Sequence, residues 1–274
     1  MIARVEQAER EEDFGGKAVQ LGRARRLGLP VPPAWALSSA FVEAVVAGDA
    51  GAIAQVVEAF AQLGGPVAVR SSGIGEDALE ASFAGQHATA LNVRSREALL
   101  AAVATVHASA RTEAALAYRR KLGLPAEPRM GIVVQRLVPA TCAGVLFTRH
   151  PTTGADERVI EATWGLGEAV VAGLVTPDHY RLARGGGVLE RRLGEKDLAI
   201  LWDEAGGTRE VEVDAHLVSA PCLDEARLAA LEGLAGSCEA AFGGTQDLEW
   251  AFVHDPEEPR DSLYLLQRRA ITRG

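Results

Sequence analysis

"DLEWAFVHDPEEPRDSLYLLQRRAIT", residues 247–272, reads as two runs of alternating residues around a polar turn. On a strand, alternate side chains share a face. In the first run that places Asp247 and Glu249 together, with Leu248, Trp250 and Phe252 on the other side. In the second run it places Gln267 with Arg269. A hairpin with those faces aligned gathers two carboxylates, an amide and a guanidinium beside an apolar layer. Carboxylates holding a hard cation next to an arginine suit a polyphosphate, because metal and guanidinium share its charge. The same spacing equally describes an exposed face carrying a surface ion pair of little energetic weight.

Upstream, "PVAVRSSGIGEDALEASFAGQ" (66–86) ends a short apolar run on Arg70 and continues as a loop of small residues. Arg70, Ser71 and Ser72 offer a fork of donors and two hydroxyls, and Gly73 and Gly75 permit close backbone approach. An arginine snorkelling from a strand end to solvent fits the pattern as well. "GGKAVQLGRARRLGLPVPPAW" (15–35) predicts a glycine turn and then a helix stopped at Gly28. Helix-start amides favour an anion and Lys17 can neutralise one, although the spacing is not that of a GxxxxGK[ST] loop. Gln135 in "VVQRLV" (133–138) is one amide in an apolar run, suited to reading a flat heterocycle. Glu168 in "WGLGEAVV" (164–171) stands at a turn into a helix, placed for a ribose hydroxyl or for the helix dipole.

Hydrophobic residues make up 48% of the 274-residue chain and charged ones 24%, the balance of a globular protein with a sizeable core. A formal net charge of −9 excludes the broad basic face that nucleic acid requires. No apolar run spans a bilayer, and the charged N-terminus lacks a signal-peptide core, which predicts a cytoplasmic protein away from membranes. Cys142, Cys222 and Cys238 suggest neither a disulfide framework nor a zinc site and read as packing residues. Residues 95–123 carry one long helical pattern, and 223–244 an amphipathic helix. Residues 130–138 and 143–151 look like a strand pair. Helices and strands mix without strict βαβ alternation, so the expected class is α+β.

Together, "GGKAVQLGRARRLGLPVPPAW", "AVRSS", "ASFAGQ", "GVLFTRHP", "GLGEAVVAGLVTPD", "DLEWAF" and "LYLLQRRAIT" resemble, in order, the nucleotide-binding domain of phosphoenolpyruvate synthase and pyruvate phosphate dikinase. Rifampicin phosphotransferase carries a similar domain. The resemblance runs from about Phe14 to about Thr272. It implies an ATP-grasp fold whose two lobes, residues 1–130 and 131–274, close on ATP with Mg²⁺ or Mn²⁺. It implies further that Lys17, Arg70 and the loop from Ser71 through Ser72 and Gly85 to Gln86 hold the phosphates. Gln135 and Leu137 would line the adenine and Glu168 the ribose. Glu249 and Gln267, assisted by Asp247, would hold the metal, and Arg269 the reacting phosphate. Lys196 in "GEKDLAI" is a further phosphate candidate. The implied reaction passes the β-phosphoryl group to a histidine on a separate domain or partner, leaving AMP and phosphate, and thence to pyruvate or another small molecule. The family's Gly-Gly-x-x-Ser/Thr-His motif is absent from the sequence. A non-catalytic ATP-binding module and the ATP half of an antibiotic phosphotransferase are the alternative expectations.

Overall fold

The computed structural model describes residues 1–75, 88–121, 123–125, 127–258 and 260–271. The first part opens with β1 (Ile2–Arg4), α1 (Glu11–Phe14), α2 (Gly16–Arg26) and β2 (Ala34–Leu37). It continues through α3 (Ser39–Val46), α4 (Ala50–Leu63), β3 (Val67–Gly73) and β4 (Thr89–Val93). α5 (Arg96–Ser109), α6 (Glu113–Lys121) and β5 (Met130–Arg136) complete it. The second part holds β6 (Cys142–Phe147), β7 (Glu157–Trp164), α7 (Glu168–Val171), β8 (Asp178–Ala183) and β9 (Val188–Arg192). β10 (Leu198–Trp202), β11 (Thr208–Glu212), α8 (Glu225–Phe242), β12 (Gln246–Val253) and β13 (Ser262–Ala270) follow.

Among the described residues, the strands form two antiparallel sheets and a ribbon. The first sheet runs β1-β2-β5-β3-β4, the second β13-β12-β6-β7-β8-β9, and β10 pairs with β11 alone. The α+β class therefore stands. One expectation does not. β5 lies between β2 and β3 and makes no pair with β6, so residues 130–138 and 143–151 belong to different sheets. β5, which starts at the approximate boundary expected near 130/131, pairs along its length within the first sheet. The reason is burial: five of the first six residues of β5 are apolar or glycine and all six are buried, which requires neighbours on both edges and both faces.

Local chemistry explains most of the helix boundaries. Ser38 Oγ accepts from Phe41 N at the start of α3, and Asp49, Ser95 and Asp224 cap α4, α5 and α8 in the same way. The single long helix expected over 95–123 is two, because the chain breaks at Ala110–Thr112. There Thr112 Oγ1 accepts from Ala115 N and restarts the helix. No described helix is by itself long and apolar enough to cross a membrane. The bent pair α3 and α4 reaches that composition only together, and its Phe41, Val42, Val45 and Val56 are buried against the first sheet.

Three apolar layers hold the parts in place. Val67, Val69, Ile132 and Val134 face Phe41, Leu99 and Val103 on one side of the first sheet. Leu146, Ile160, Tyr180, Leu248 and Trp250 face α8 on one side of the second, in a cluster that also takes in Leu21 and Ala34 from the first part. Val138, Ala143, Leu166, Ile200 and Ala251 form a smaller layer on the opposite side of the second sheet, beneath the polar cluster described next. All three cysteines are buried and free, as packing residues should be.

Candidate functional site

The expected hairpin forms, with the expected faces. Glu249 stands opposite Gln267 and Asp247 opposite Arg269. The register shifts between Glu249 and Trp250, so that Trp250 faces Leu265 and Leu266 is the extra residue. A bulge of this kind removes one residue from the ladder and re-aims its backbone. The Leu266 carbonyl, so released, accepts a 2.7 Å hydrogen bond from Arg70 Nη1.

Arg70 reaches this hairpin from the other sheet. On β3 it alternates with Val67 and Val69, which face the helices, so the guanidinium points to the opposite side. Its Nη2 donates to Glu249 Oε2 at 2.6 Å and to Gln267 Oε1 at 3.1 Å, and Nη1 also reaches Gln135 Oε1 at 3.4 Å. One guanidinium thus gathers a carboxylate, two amide oxygens and a carbonyl from β5, β12 and β13. Its side chain is only 12% exposed and that of Glu249 28%, so the pair is partly shielded from solvent.

Lys17 enters from the start of α2, and its placement depends on Gly15. That residue has φ +78°, and a Cβ there would sit 2.1 Å from the Ser72 carbonyl oxygen. Ser72 Oγ in turn accepts from Ala18 N at 3.0 Å, tying the first turn of α2 to β3. Burial pushes the Glu249 carboxyl up, but Arg70, Lys17 and Arg269 outweigh it and hold the group below its ordinary value. Asp247 shows the reverse: burial and the adjacent Glu249 charge push it up to about 6, and Arg269 offsets only part of this. Burial also raises Glu168, against a hydrogen bond from Thr208 and the field of Arg70.

The structure therefore brings Lys17, Arg70, Gln135, Glu168, Asp247, Glu249, Gln267 and Arg269 to one region. Leu137 lies half-buried just beyond β5, its N–H on the Pro66 carbonyl. Gly85 lies outside the described residues. The remaining three candidates, Ser71, Ser72 and Lys196, are buried. Ser71 shares the helix-facing side of β3 with Val67 and Val69, opposite Arg70, because strand side chains alternate. Ser72 is on the right side but 1% exposed, its hydroxyl engaged with α2. Lys196 is fully buried, with Nζ 2.5 Å from Asp178 Oδ1 and 3.2 Å from the Gly194 carbonyl, which leaves it no open side for a phosphate. What reading the sequence missed is the Leu266 carbonyl: a bulge in an unbroken apolar run leaves no signal in residue types.

The donor set is chemically selective. Asp247, Glu249 and Gln267 offer carboxylate and amide oxygens as ligand atoms, which fits a hard divalent cation. Among the described residues no group of three His, Cys, Asp or Glu stands together. Beside them Gln135 Nε2 is a buried donor with no hydrogen-bond partner, an uncommon cost in a folded protein.

The family described as "Pyruvate phosphate dikinase, AMP/ATP-binding domain" matches residues 50–274. A probable phosphoenolpyruvate synthase of Methanothermobacter thermautotrophicus is 41% identical over 208 residues, covering 75% of this chain and 29% of that protein. A rifampicin phosphotransferase of Streptomyces sviceus is 41% identical over 207 residues, covering 75% of this chain and 23% of that protein. The chain thus spans less than a third of either relative's length. Among solved structures, N5-carboxyaminoimidazole synthase from Aspergillus clavatus, in complex with ADP and its ribonucleotide, superposes with a TM-score of 0.44 at 12% identity, covering 94% of this chain and 44% of that one. With the family matched over most of its length, the chain belongs to the pyruvate phosphate dikinase AMP/ATP-binding domain family.

Proposed function

We propose that this chain is the ATP-binding half of a phosphotransferase, an ATP-grasp module that holds ATP and a divalent cation between its two sheets. The observation that carries the reading is the convergence on Arg70 of Glu249, Gln267 and the Leu266 carbonyl. A permanently charged fork is held at a partly open position among oxygen ligands, where a phosphate can replace them.

Lys17, Arg70 and Arg269 bind the phosphates; Arg70 is already ion-paired with Glu249, and the charges of Lys17 and Arg269 act on the same carboxylate. Gln135, with its unpartnered Nε2, and Leu137 line the adenine; Glu168 takes a ribose hydroxyl. Glu249, Gln267 and Asp247 hold Mg²⁺ or Mn²⁺. The cation, when bound, withdraws charge from the phosphates. Fixed cations in a partly dry cleft stabilise the charge that develops in phosphoryl transfer without reorganising at that moment. The β-phosphoryl group passes to a histidine nitrogen on a separate domain or partner: an N–P bond forms as the α–β anhydride breaks and AMP leaves, and a water molecule cleaves the β–γ anhydride to release inorganic phosphate. The equal 41% identities to a phosphoenolpyruvate synthase and a rifampicin phosphotransferase support pyruvate or an antibiotic as the final acceptor. The buried, free thiols accord with a reducing cytoplasm.

The test is calorimetric titration with ATP, with and without Mg²⁺, on the unaltered chain and on Glu249→Ala. Metal-dependent binding that the variant loses is the expected result. Binding indifferent to both metal and variant would refute the assignment.

A further inference from the structure

One side of α2 carries polar residues at a spacing of three: Lys17, Gln20 and Arg23. Residues so spaced are neighbours on a helix surface. The other side, with Ala18, Leu21 and Ala24, is buried in the core. Lys17 opens the polar stripe in the first turn of α2, where the Ala18 N–H is tied to Ser72 of β3, two residues from Arg70. The next two members of the stripe meet the second part of the chain. Gln20 Oε1 accepts a hydrogen bond from Arg268 Nη1. Arg23 Nη2 donates to the Ala241 carbonyl at 3.2 Å, and its guanidinium lies 4.8 Å over the ring of Phe242.

Arg268 stands on the reverse of the hairpin. On β13 it lies opposite Leu248, so it faces the α8 side, while its chain neighbours Gln267 and Arg269 face the polar cluster. It is 7% exposed and gripped from several directions. Its Nε donates to Gln246 Oε1 at 2.5 Å, and its guanidinium lies 4.1 Å over the same Phe242 ring that Arg23 covers. Gln246 is fully buried, and its Nε2 donates in turn to the Gly243 and Gly244 carbonyls, which fixes the amide that holds Arg268. A planar guanidinium engaged along two edges and over one face has a single orientation. Arg268 therefore joins the two elements that carry the proposed phosphate ligands. Gln20 is one helical turn from Lys17, and Arg268 is bonded directly to Gln267 and Arg269. A shift of α2 along β13 would break the Arg268–Gln20 bond.

We infer that Arg268 is a positioning residue for the phosphate site: by holding Gln20 it sets the place of Lys17, one turn along α2, relative to Gln267 and Arg269 beside it on β13. It touches no phosphate itself. The inference rests on the ATP-binding reading above, and it assigns to a buried arginine outside the cluster the spacing between cations that come from the two parts of the chain.

Gln20→Ala tests it first, because Gln20 is half-buried and alanine suits a helix. Arg268→Met, which keeps an apolar stem against Phe242 and removes the fork, follows. Titrated with Mg·ATP below the melting temperature, both should bind about five- to tenfold more weakly, somewhat less than the worth of a hydrogen bond to a charged group, since Lys17 is displaced and not removed. Gln20→Glu should stay within about twofold of the unaltered chain, because a carboxylate accepts from Nη1 as an amide does. A second readout needs no nucleotide. The chain has three lysines, Lys17, Lys121 and Lys196, the last fully buried. After reductive ¹³C-methylation, the Lys17 signal in Gln20→Ala should move while that of Lys121, on α6, stays in place. Unchanged ATP affinity in Gln20→Ala overturns the inference, as does affinity in Gln20→Glu no better than in Gln20→Ala. Weaker binding with an unmoved Lys17 signal overturns it too, and movement of both lysine signals marks a merely structural role. If Arg268→Met does not fold, the Gln20 pair decides alone. An unaltered chain that does not bind Mg·ATP overturns the functional reading itself, and shows this before any substitution is made.

Discussion

Replacing Arg70 by alanine should cost this protein both stability and nucleotide affinity, and the structure sets the two sizes apart. Arg70 makes its 2.6 Å ion pair with Glu249 at 12% and 28% side-chain exposure. Fully exposed pairs contribute about 0.2–1 kcal/mol, and stripping one partner from a fully buried pair costs about 3–5 kcal/mol. This pair lies between, and its loss also strands the Leu266 carbonyl and Gln267 Oε1. We expect about 2 kcal/mol of destabilisation in urea titration, with an unchanged m-value. In the double variant Arg70→Ala/Glu249→Ala part of that cost should return, because the carboxylate is no longer left unpaired. A coupling energy of about 1–2 kcal/mol should therefore appear in the cycle. ATP affinity should fall much further, by about 3–4 kcal/mol or several hundredfold, since the fork's two charge-assisted bonds to phosphate vanish together. Arg70→Lys should recover most of the stability and little of the affinity, as an ammonium cannot engage two oxygens in one plane. Zero coupling between positions 70 and 249 would refute the geometry. Normal ATP affinity in Arg70→Ala would refute the site.

Gly15→Ala should destabilise by about 3 kcal/mol or more, because the new Cβ meets the Ser72 carbonyl at 2.1 Å on a backbone at φ +78°; thermal melting reads this directly. Lys196→Met should cost stability in the same assay, since Asp178 is left charged and fully buried, yet the folded fraction should bind ATP as before; a selective loss of affinity would restore Lys196 to the phosphates. Glu239 is pushed up by burial but held below its ordinary value by Arg184 and Arg158, so its stabilisation is present above about pH 4.5 and lost as the pH falls through its lowered pKa. Glu239→Gln should flatten the acid limb of a stability–pH profile, and an unchanged limb would exclude this group as a source of acid sensitivity.

The hairpin was legible because a period of two carries both the element and its chemistry: Asp247 with Glu249, and Gln267 with Arg269, follow from counting alone. The helical period over residues 95–109 was legible from its apolar spacing, while the break at Ala110–Thr112 was not. Sheet membership was not. β5 and β6 are adjacent in sequence and similar in composition, and nothing local says that one pairs with β3 and the other with β12. Which neighbour a strand takes is decided by long-range packing that residue types do not encode. The same limit explains Lys196: a lysine near a glycine looks available for a phosphate until Asp178, 18 residues earlier, is seen to accept its charge in the core.

Charge bookkeeping within the cleft shows how a chain of net charge −9 can nonetheless receive a polyanion. Lys17, Arg70 and Arg269 all act on Glu249, and Arg269 also on Asp247, so the cluster is close to neutral through its own pairs. Such pairing keeps partly buried cations from standing uncompensated, which would be costly. In the proposed function ATP and its cation exchange partners with it. The carboxylates and Gln267 turn to the cation, and the freed guanidinium and ammonium groups turn to the phosphates. Each group remains paired throughout, so the desolvation cost met on folding is not met again on binding. The net charge of the chain therefore has no bearing on the site. In that reading, what decides anion binding is that three cations act on one partly shielded carboxylate, with a second carboxylate beside it that burial already pushes up to about 6.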